Sequence, residues 1–168
     1  MNRKEIVSIL TLLLVLVMFG SCASSEERAA QKAEFARKVN AALDKKAYKI
    51  SVNRMVPMNG ANRSVSYGYS VEVRNDSLFS YLPYFGRAYQ VPYGGGKGLT
   101  FDAPIDHYQE SKMKNGSRKI DIELKNEEDV YTYHISIFDN GSSSIDVQSR
   151  QKDPISYSGN VVFDKYVI

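Results

Sequence analysis

Hydrophobic positions along this chain recur in two rhythms, a short helical one near the start and a strand-like one through the rest. In Ser64–Arg74, Val65, Tyr67, Tyr69, Val71 and Val73 alternate with Ser64, Ser66, Gly68, Ser70 and Glu72. Lys119–Lys125 repeats the pattern, with Ile120, Ile122 and Leu124 set against charged neighbours. Tyr131, Tyr133, Ile135 and Ile137 make a third such face, and Ile145 with Val147 a fourth. Tyr48, Ile50, Val52 and Val56 predict an earlier strand, and Tyr157, Val161 and Phe163 a final one. Strict alternation marks strands buried on one face, as in antiparallel sheets. Asp139-Asn140-Gly141-Ser142 carries a strong hairpin signal, and Asn75-Asp76 and Asn126-Glu127-Glu128-Asp129 predict two further turns.

Before Ala47 the period is helical. Phe35, Ala36, Val39, Ala42 and Leu43 share one face, while Arg28, Lys32, Glu34, Lys38 and Lys45 stay polar, which predicts a helix over about Glu26–Lys45. The stripe is narrow and Ala-rich, suited either to lying on a sheet or to acting as a stalk. Ser24-x-x-Glu27 reads as a capping box at its start. One helix followed by roughly seven to nine short strands predicts a mainly β domain. The expected architecture is an N-terminal helix and an antiparallel meander forming a sandwich or a partly open barrel.

The first residues have a different purpose. Arg3-Lys4 gives a basic start, Ile6–Phe19 is an almost unbroken apolar run, and Gly20-Ser21 stands directly before Cys22. A basic end, a short apolar stretch and small residues at the cut describe a secretory signal, and the run is short for a membrane span, which takes about 20 residues. Small residues immediately before cysteine resemble the lipobox of bacterial lipoproteins, although Phe19 stands where Leu is commonest. The expected organisation is therefore a signal peptide over 1–21, then a lipidated Cys22 with a polar tether and helix over 22–46. An antiparallel β domain over 47–168 completes it. Cys22 is the only cysteine, so an internal disulfide is excluded and acylation would remove an exposed thiol. Ala23-Ser24-Ser25-Glu26-Glu27 resembles the acidic surface-export signal of Bacteroidetes lipoproteins. The anticipated location is the outer membrane, lipid-anchored, on its periplasmic face or at the cell surface.

Between Leu78 and Pro104 the alternation is lost. Phe79, Tyr81, Tyr84, Phe85, Tyr89 and Tyr93 crowd together with Pro83, Pro92, Arg87 and the run Gly94-Gly95-Gly96-Lys97-Gly98. A long irregular segment inside a small domain is often functional. Aromatic faces beside an arginine suit stacking on sugars or docking of a partner, and equally suit covering one end of the sheet. If the chain binds a ligand or partner, Tyr81, Tyr84, Phe85, Arg87, Tyr89 and Tyr93 are the candidates. Leu82-Pro83-Tyr84-Phe85-Gly86-Arg87-Ala88-Tyr89, then Pro92-Tyr93-Gly94, Phe101 and Ile155-Ser156-Tyr157-Ser158-Gly159, resemble the Bacteroidetes lipoprotein family called domain of unknown function 4251. The resemblance runs from about Phe35 to Phe163. It implies an envelope lipoprotein and brings no catalytic residues to carry over.

Reactive chemistry finds little support. Read as a phosphate loop, the glycine run places Val91 where the first glycine belongs and Gly98 where Ser or Thr would ligate magnesium. Asp102, Asp106, His107 and Glu110 lie close in sequence but match no calcium loop. His107 and His134 alone, with no free cysteine, do not make a zinc site. No nucleophile elbow accompanies the serines, His134 falls on the polar face of its strand, and His107 beside Asp106 remains a remote hydrolase reading. The formal charge of +3 gives no clustered basic face for nucleic acid. The expected protein is therefore not an enzyme and uses no metal or cofactor. It is a lipid-anchored envelope module that binds an envelope protein or glycan. The alternative is a structural or assembly lipoprotein that docks another envelope protein.

Overall fold

A computed structural model of the chain describes residues 23–65, 68–89 and 98–163. The signal segment, Cys22, Tyr67, Tyr93 and most of the glycine run lie outside the described residues. The chain divides into two units, Met1–Phe35 and Ala36–Ile168, with helix α1 (Ala23–Asp44) crossing the boundary. In the first unit the described helical residues are mostly exposed, with Gln31 hydrogen-bonded to Glu27 one turn away. The described helix already contains Ser24 and Ser25, before the predicted start at Glu26. In the second unit the last turns bury Val39 and Leu43, so the predicted stripe ends as core.

The tight turns are built by the residues that signalled them. Asn75 and Asp76 both take positive φ, 51° and 53°, the backbone of a two-residue hairpin turn whose twist matches its strands. They join β3 (Ser70–Arg74) to β4 (Ser77–Leu82). In a later turn Asn126 Oδ1 accepts from the backbone N–H groups of Glu128 and Asp129, both at 2.8 Å, a side-chain substitute for turn hydrogen bonds. It connects β6 (Arg118–Lys125) to β7 (Val130–Ile137). Gly141, at φ 80°, closes the turn from β7 into β8 (Ser142–Ser149).

With β1 (Tyr48–Pro57), β5 (Leu99–Lys112) and β9 (Ile155–Val162), these strands form an antiparallel meander in which each pairs with the next. β1 also pairs with β9, Ser51 lying opposite Asn160. The sheet is thus a closed eight-strand barrel, and the short β2 (Arg63–Ser64) adds to one edge of β1. Closure removes the outer edges that an open sandwich would leave exposed. Where β9 crosses β1, the register shifts between Val52 and Arg54. That bulge puts Met55 rather than Val56 into the core.

The interior is filled rather than hollow. Ile50, Val71, Leu78, Ile120, Ile122, Ile135 and Ile145 are fully buried alongside Tyr131, Tyr133 and Tyr157. Each such large side chain contributes roughly 1.5–3 kcal/mol through burial. The three phenols find partners, which offsets the cost of burying a hydroxyl. Tyr133 donates to Ser80 Oγ at 3.0 Å, Tyr157 donates to Pro83 O at 2.7 Å, and Tyr131 accepts from Lys152 Nζ at 3.0 Å.

Two expected segments come out differently. The run Ser64–Arg74 is two pieces, because Gly68 at φ 113° interrupts it, and both pieces pair with β1. The stretch predicted as irregular from Leu78 to Pro104 contains β4 and the first half of β5, leaving the connection after Leu82 and before Leu99. On β4 Leu78 and Leu82 point in while Phe79 and Tyr81 point out. Apolar residues on both faces erase the alternation that marks a strand.

β5 is shared between two neighbours. Its residues Leu99–Pro104 pair with β4, and Ile105–Lys112 pair with β6. A bulge at Asp106 separates the halves and resets the inward phase from odd to even positions. Asp106 and His107 are consequently both exposed, instead of pointing to opposite faces as on a regular strand.

Candidate functional site

Because β6 leaves β5 at Ile105, the β6–β7 turn curls past the first half of β5 without pairing to it. The result is an open groove of about 970 Å³ on the outer surface. Its floor is the outward face of β4 and β5, with Phe79, Tyr81, Thr100, Asp102 and Pro104, and its far wall is Lys125, Asn126, Glu127 and Glu128. Among the described lining residues, four carboxylates (Asp102, Asp106, Glu127 and Glu128) face one ammonium, that of Lys125, so this part of the groove is acidic at neutral pH. Phe101 turns inward beneath it and stacks on the buried Tyr131 ring at 4.7 Å, filling the gap between β5 and β7.

Tyr81 is half exposed and stacks on Tyr69 with ring centres 5.2 Å apart. Phe79 carries the Arg74 guanidinium 4.1 Å from its ring centre, and Arg74 is in turn paired with Glu72 at 2.7 Å. Both aromatic side chains are thus packed against neighbours on the outer face. A flat aromatic face beside carboxylates can stack on a sugar ring or receive a cationic side chain.

The connection after β4 is secured by Asp153 in the turn between β8 and β9. Its carboxylate accepts from the Tyr89 hydroxyl at 2.7 Å and from the Arg87 backbone N–H at 3.2 Å. Asp153 N–H returns a bond to Arg87 O at 3.0 Å, Tyr89 N–H donates to Gln151 O, and Ala88 bridges to Lys152. The Tyr84 hydroxyl lies 2.8 Å from Arg87 O and 3.2 Å from Asp153 O. Gly86 makes this possible, since a Cβ there would sit 2.5 Å from that hydroxyl. The Leu-Pro-Tyr-Phe-Gly-Arg-Ala-Tyr motif is in this part a clasp onto the barrel.

The donors around Asp153, the Tyr89 hydroxyl first and the Arg87 N–H second, hold its carboxyl below the ordinary carboxylate range. Hydrogen bonding to that carboxylate pushes the Tyr89 phenol up, and partial burial followed by the Asp153 charge pushes Tyr84 up. A carboxyl whose folded pKa is depressed stabilises the fold above its unfolded value, about 3.9. That contribution is lost as pH falls through the folded value. In urea denaturation at neutral pH, Asp153→Asn should therefore unfold at a lower midpoint than the unaltered chain. The gap should narrow as the pH is taken below about 4. A gap unchanged by acid would remove the carboxylate from the clasp.

The candidate residues named from sequence thus separate. Tyr81 lines the groove, and Phe85 is half exposed with the Arg63 guanidinium 4.0 Å over its ring. Tyr84, Tyr89 and the Arg87 backbone are engaged by the clasp, the Arg87 side chain is exposed, and Tyr93 and Cys22 lie outside the described residues. Among the acidic residues weighed as metal ligands, Asp102 and Asp106 line the groove, while Glu110 pairs with Arg118. His134 is bonded to Asp121 at 2.5 Å on the outer face. Phe79 in the groove floor and Glu127 and Glu128 in its wall were not selected from sequence. The turn signal at Asn126–Asp129 was visible there, but not that it folds against β5.

The sequence matches the family model for a domain of unknown function, DUF4251, over residues 30–161. Comparison with curated proteins finds no match. Among solved structures, the fold is similar to the crystal structure of a DUF4251 family protein from Bacteroides eggerthii, with a TM-score of 0.61 and 16% identity. The similarity covers 79% of this chain and 90% of that one.

Proposed function

Since the chain belongs to the DUF4251 family, a domain of unknown function, we propose a role from the chain's own features. It is a non-catalytic interaction module, held at the outer membrane by a lipid on Cys22, that engages an envelope protein or glycan. The observation that carries this reading is the groove of about 970 Å³ floored by Phe79 and Tyr81 and walled by Glu127 and Glu128. It lies on the outer surface rather than inside the barrel, which suits an extended segment better than a small enclosed ligand. The apolar run before Gly20-Ser21-Cys22 supports the anchor, and multiple acyl chains bind a membrane far more firmly than one. Among the described residues no helix is long and apolar enough to cross a membrane.

The test is a pull-down from native envelope with the full-length lipoprotein, beside Tyr81→Ala/Phe85→Ala and Cys22→Ala variants. Tyr81 and Phe85 are chosen because their rings are exposed, whereas altering Tyr84 would undo the clasp. The expected result is a protein or glycan that co-purifies with the unaltered chain and is lost with Tyr81→Ala/Phe85→Ala. Cys22→Ala should leave the membrane fraction or accumulate as precursor. An identical set of co-purifying material in the aromatic variant would move the interaction away from this surface. Membrane retention of fully processed Cys22→Ala would overturn the anchor.

A further inference from the structure

Among the described residues, one edge of the strand that floors the groove has no neighbouring strand. Leu99–Pro104 pairs with β4 on one side, and β6 does not begin to pair until Ile105. Among the described residues no strand occupies the other side. The direction of its hydrogen-bonding groups follows from two observations. Ile105 N–H donates to Asp76 O at 2.9 Å, toward β4, and Pro104, which has no N–H, stands opposite Ser77. Backbone groups of alternate residues in a strand point to alternate edges. Thr100 and Asp102 therefore direct N–H and C=O, and Pro104 its C=O, into the groove. A proline whose missing donor lies on the unpaired side is what an edge strand tolerates.

Two occupants of such an edge differ in charge. A second copy would bring Asp102, Asp106, Glu127 and Glu128 against the same four carboxylates, and like charges directly opposed destabilise a strand pair. A basic segment meets complementary charge, with Phe79 and Tyr81 beside it. We infer, building on the interaction role proposed above, that the Leu99–Pro104 edge takes an extended, lysine- or arginine-bearing peptide of a partner protein as an added strand. Main-chain hydrogen bonds to Thr100 and Asp102 supply the pairing, and the carboxylates on the groove wall supply the preference for basic side chains. This is strand addition to an exposed sheet edge. It leaves the glycan reading of the same surface as a separate outcome.

The probe is a capped, fluorescein-labelled peptide, Lys-Val repeated three times, titrated with the intact mature protein and read by fluorescence anisotropy. Two further peptides carry backbone N-methyl groups on every Lys or on every Val. Only alternate N–H groups of an added strand face its neighbour, so one methylated peptide should lose at least about tenfold in affinity while the other binds like the parent. Asp102→Asn/Glu127→Gln/Glu128→Gln, a variant that keeps the backbone edge, should weaken the parent peptide by about tenfold and flatten its salt dependence. Equal binding of both methylated peptides would reduce the effect to charge attraction and overturn strand addition. So would failure of the parent peptide to bind, or self-association of the protein through this edge. Each of these leaves the envelope pull-down result standing or falling by itself.

Discussion

Replacing Gly159 with alanine should destabilise the barrel by about 3 kcal/mol, at the upper end of what overpacking costs. Gly159 sits on β9 opposite Val52, at the point where the β1 bulge begins. A Cβ there would stand 2.1 Å from Ser51 O and 2.9 Å from its carbonyl carbon. The obstacle is backbone of the neighbouring strand, so no rotamer change relieves it, and the seam that closes the barrel must part locally. Urea denaturation followed by far-UV circular dichroism measures the effect, with Ser158→Ala on the same strand as the control expected within about 0.5 kcal/mol of the unaltered chain. An alanine at 159 that is equally neutral would mean that the seam yields freely.

The second large effect is expected at Asp129. Its side chain is 1% exposed and that of Lys152 is 7% exposed, and the two are 3.9 Å apart. Asp129 also accepts from Val130 N–H at 2.7 Å, Gln151 N–H at 3.2 Å and the Ser149 hydroxyl. The ammonium is further placed by the Tyr131 hydroxyl and ring. Removing one partner of a buried pair leaves the other charge without compensation, which costs about 3–5 kcal/mol. Asp129→Ala should therefore lower stability by about 4 kcal/mol. Adding Lys152→Met should recover more than half of that, since the stranded ammonium is then gone. If the double variant is no more stable than Asp129→Ala alone, the cost arises from the lost turn hydrogen bonds instead.

Most of the barrel was legible because one face of each strand meets water. Ile120, Ile122 and Leu124, or Tyr131 through Ile137, alternate cleanly, and the turns at Asn75-Asp76, Asn126–Asp129 and Gly141 carry residues their backbones require. β4 was hidden because Phe79 and Tyr81 decorate its outer face, and β2 because the run around Gly68 reads as one strand. The bulges at Asn53 and Asp106 were invisible, since the two-residue period contains no signal for one extra residue. The choice between sandwich and barrel turned on pairing between the first and last strands, which local pattern does not encode.

The candidate site was legible only in part for the same reason. Tyr81, Tyr84, Phe85, Arg87, Tyr89 and Tyr93 stood out together as one aromatic cluster, but Tyr84 and Tyr89 are engaged at Asp153, a residue far along the chain with nothing local to mark it. Phe79, Asp102, Glu127 and Glu128 come together through the way β5 changes partners, a property of register.

The pairing of β1 with β9 also bears on how the protein reaches its native state. A meander of hairpins can form each pair from neighbouring segments, but Ser51 and Asn160 come from the first and last strands of the barrel. Contacts so remote in sequence slow folding, so during synthesis β1 lacks its β9 partner until the last strand has been made. The last segment to arrive is then the one that locks the first, and loss of a few residues there would leave the whole barrel unlatched.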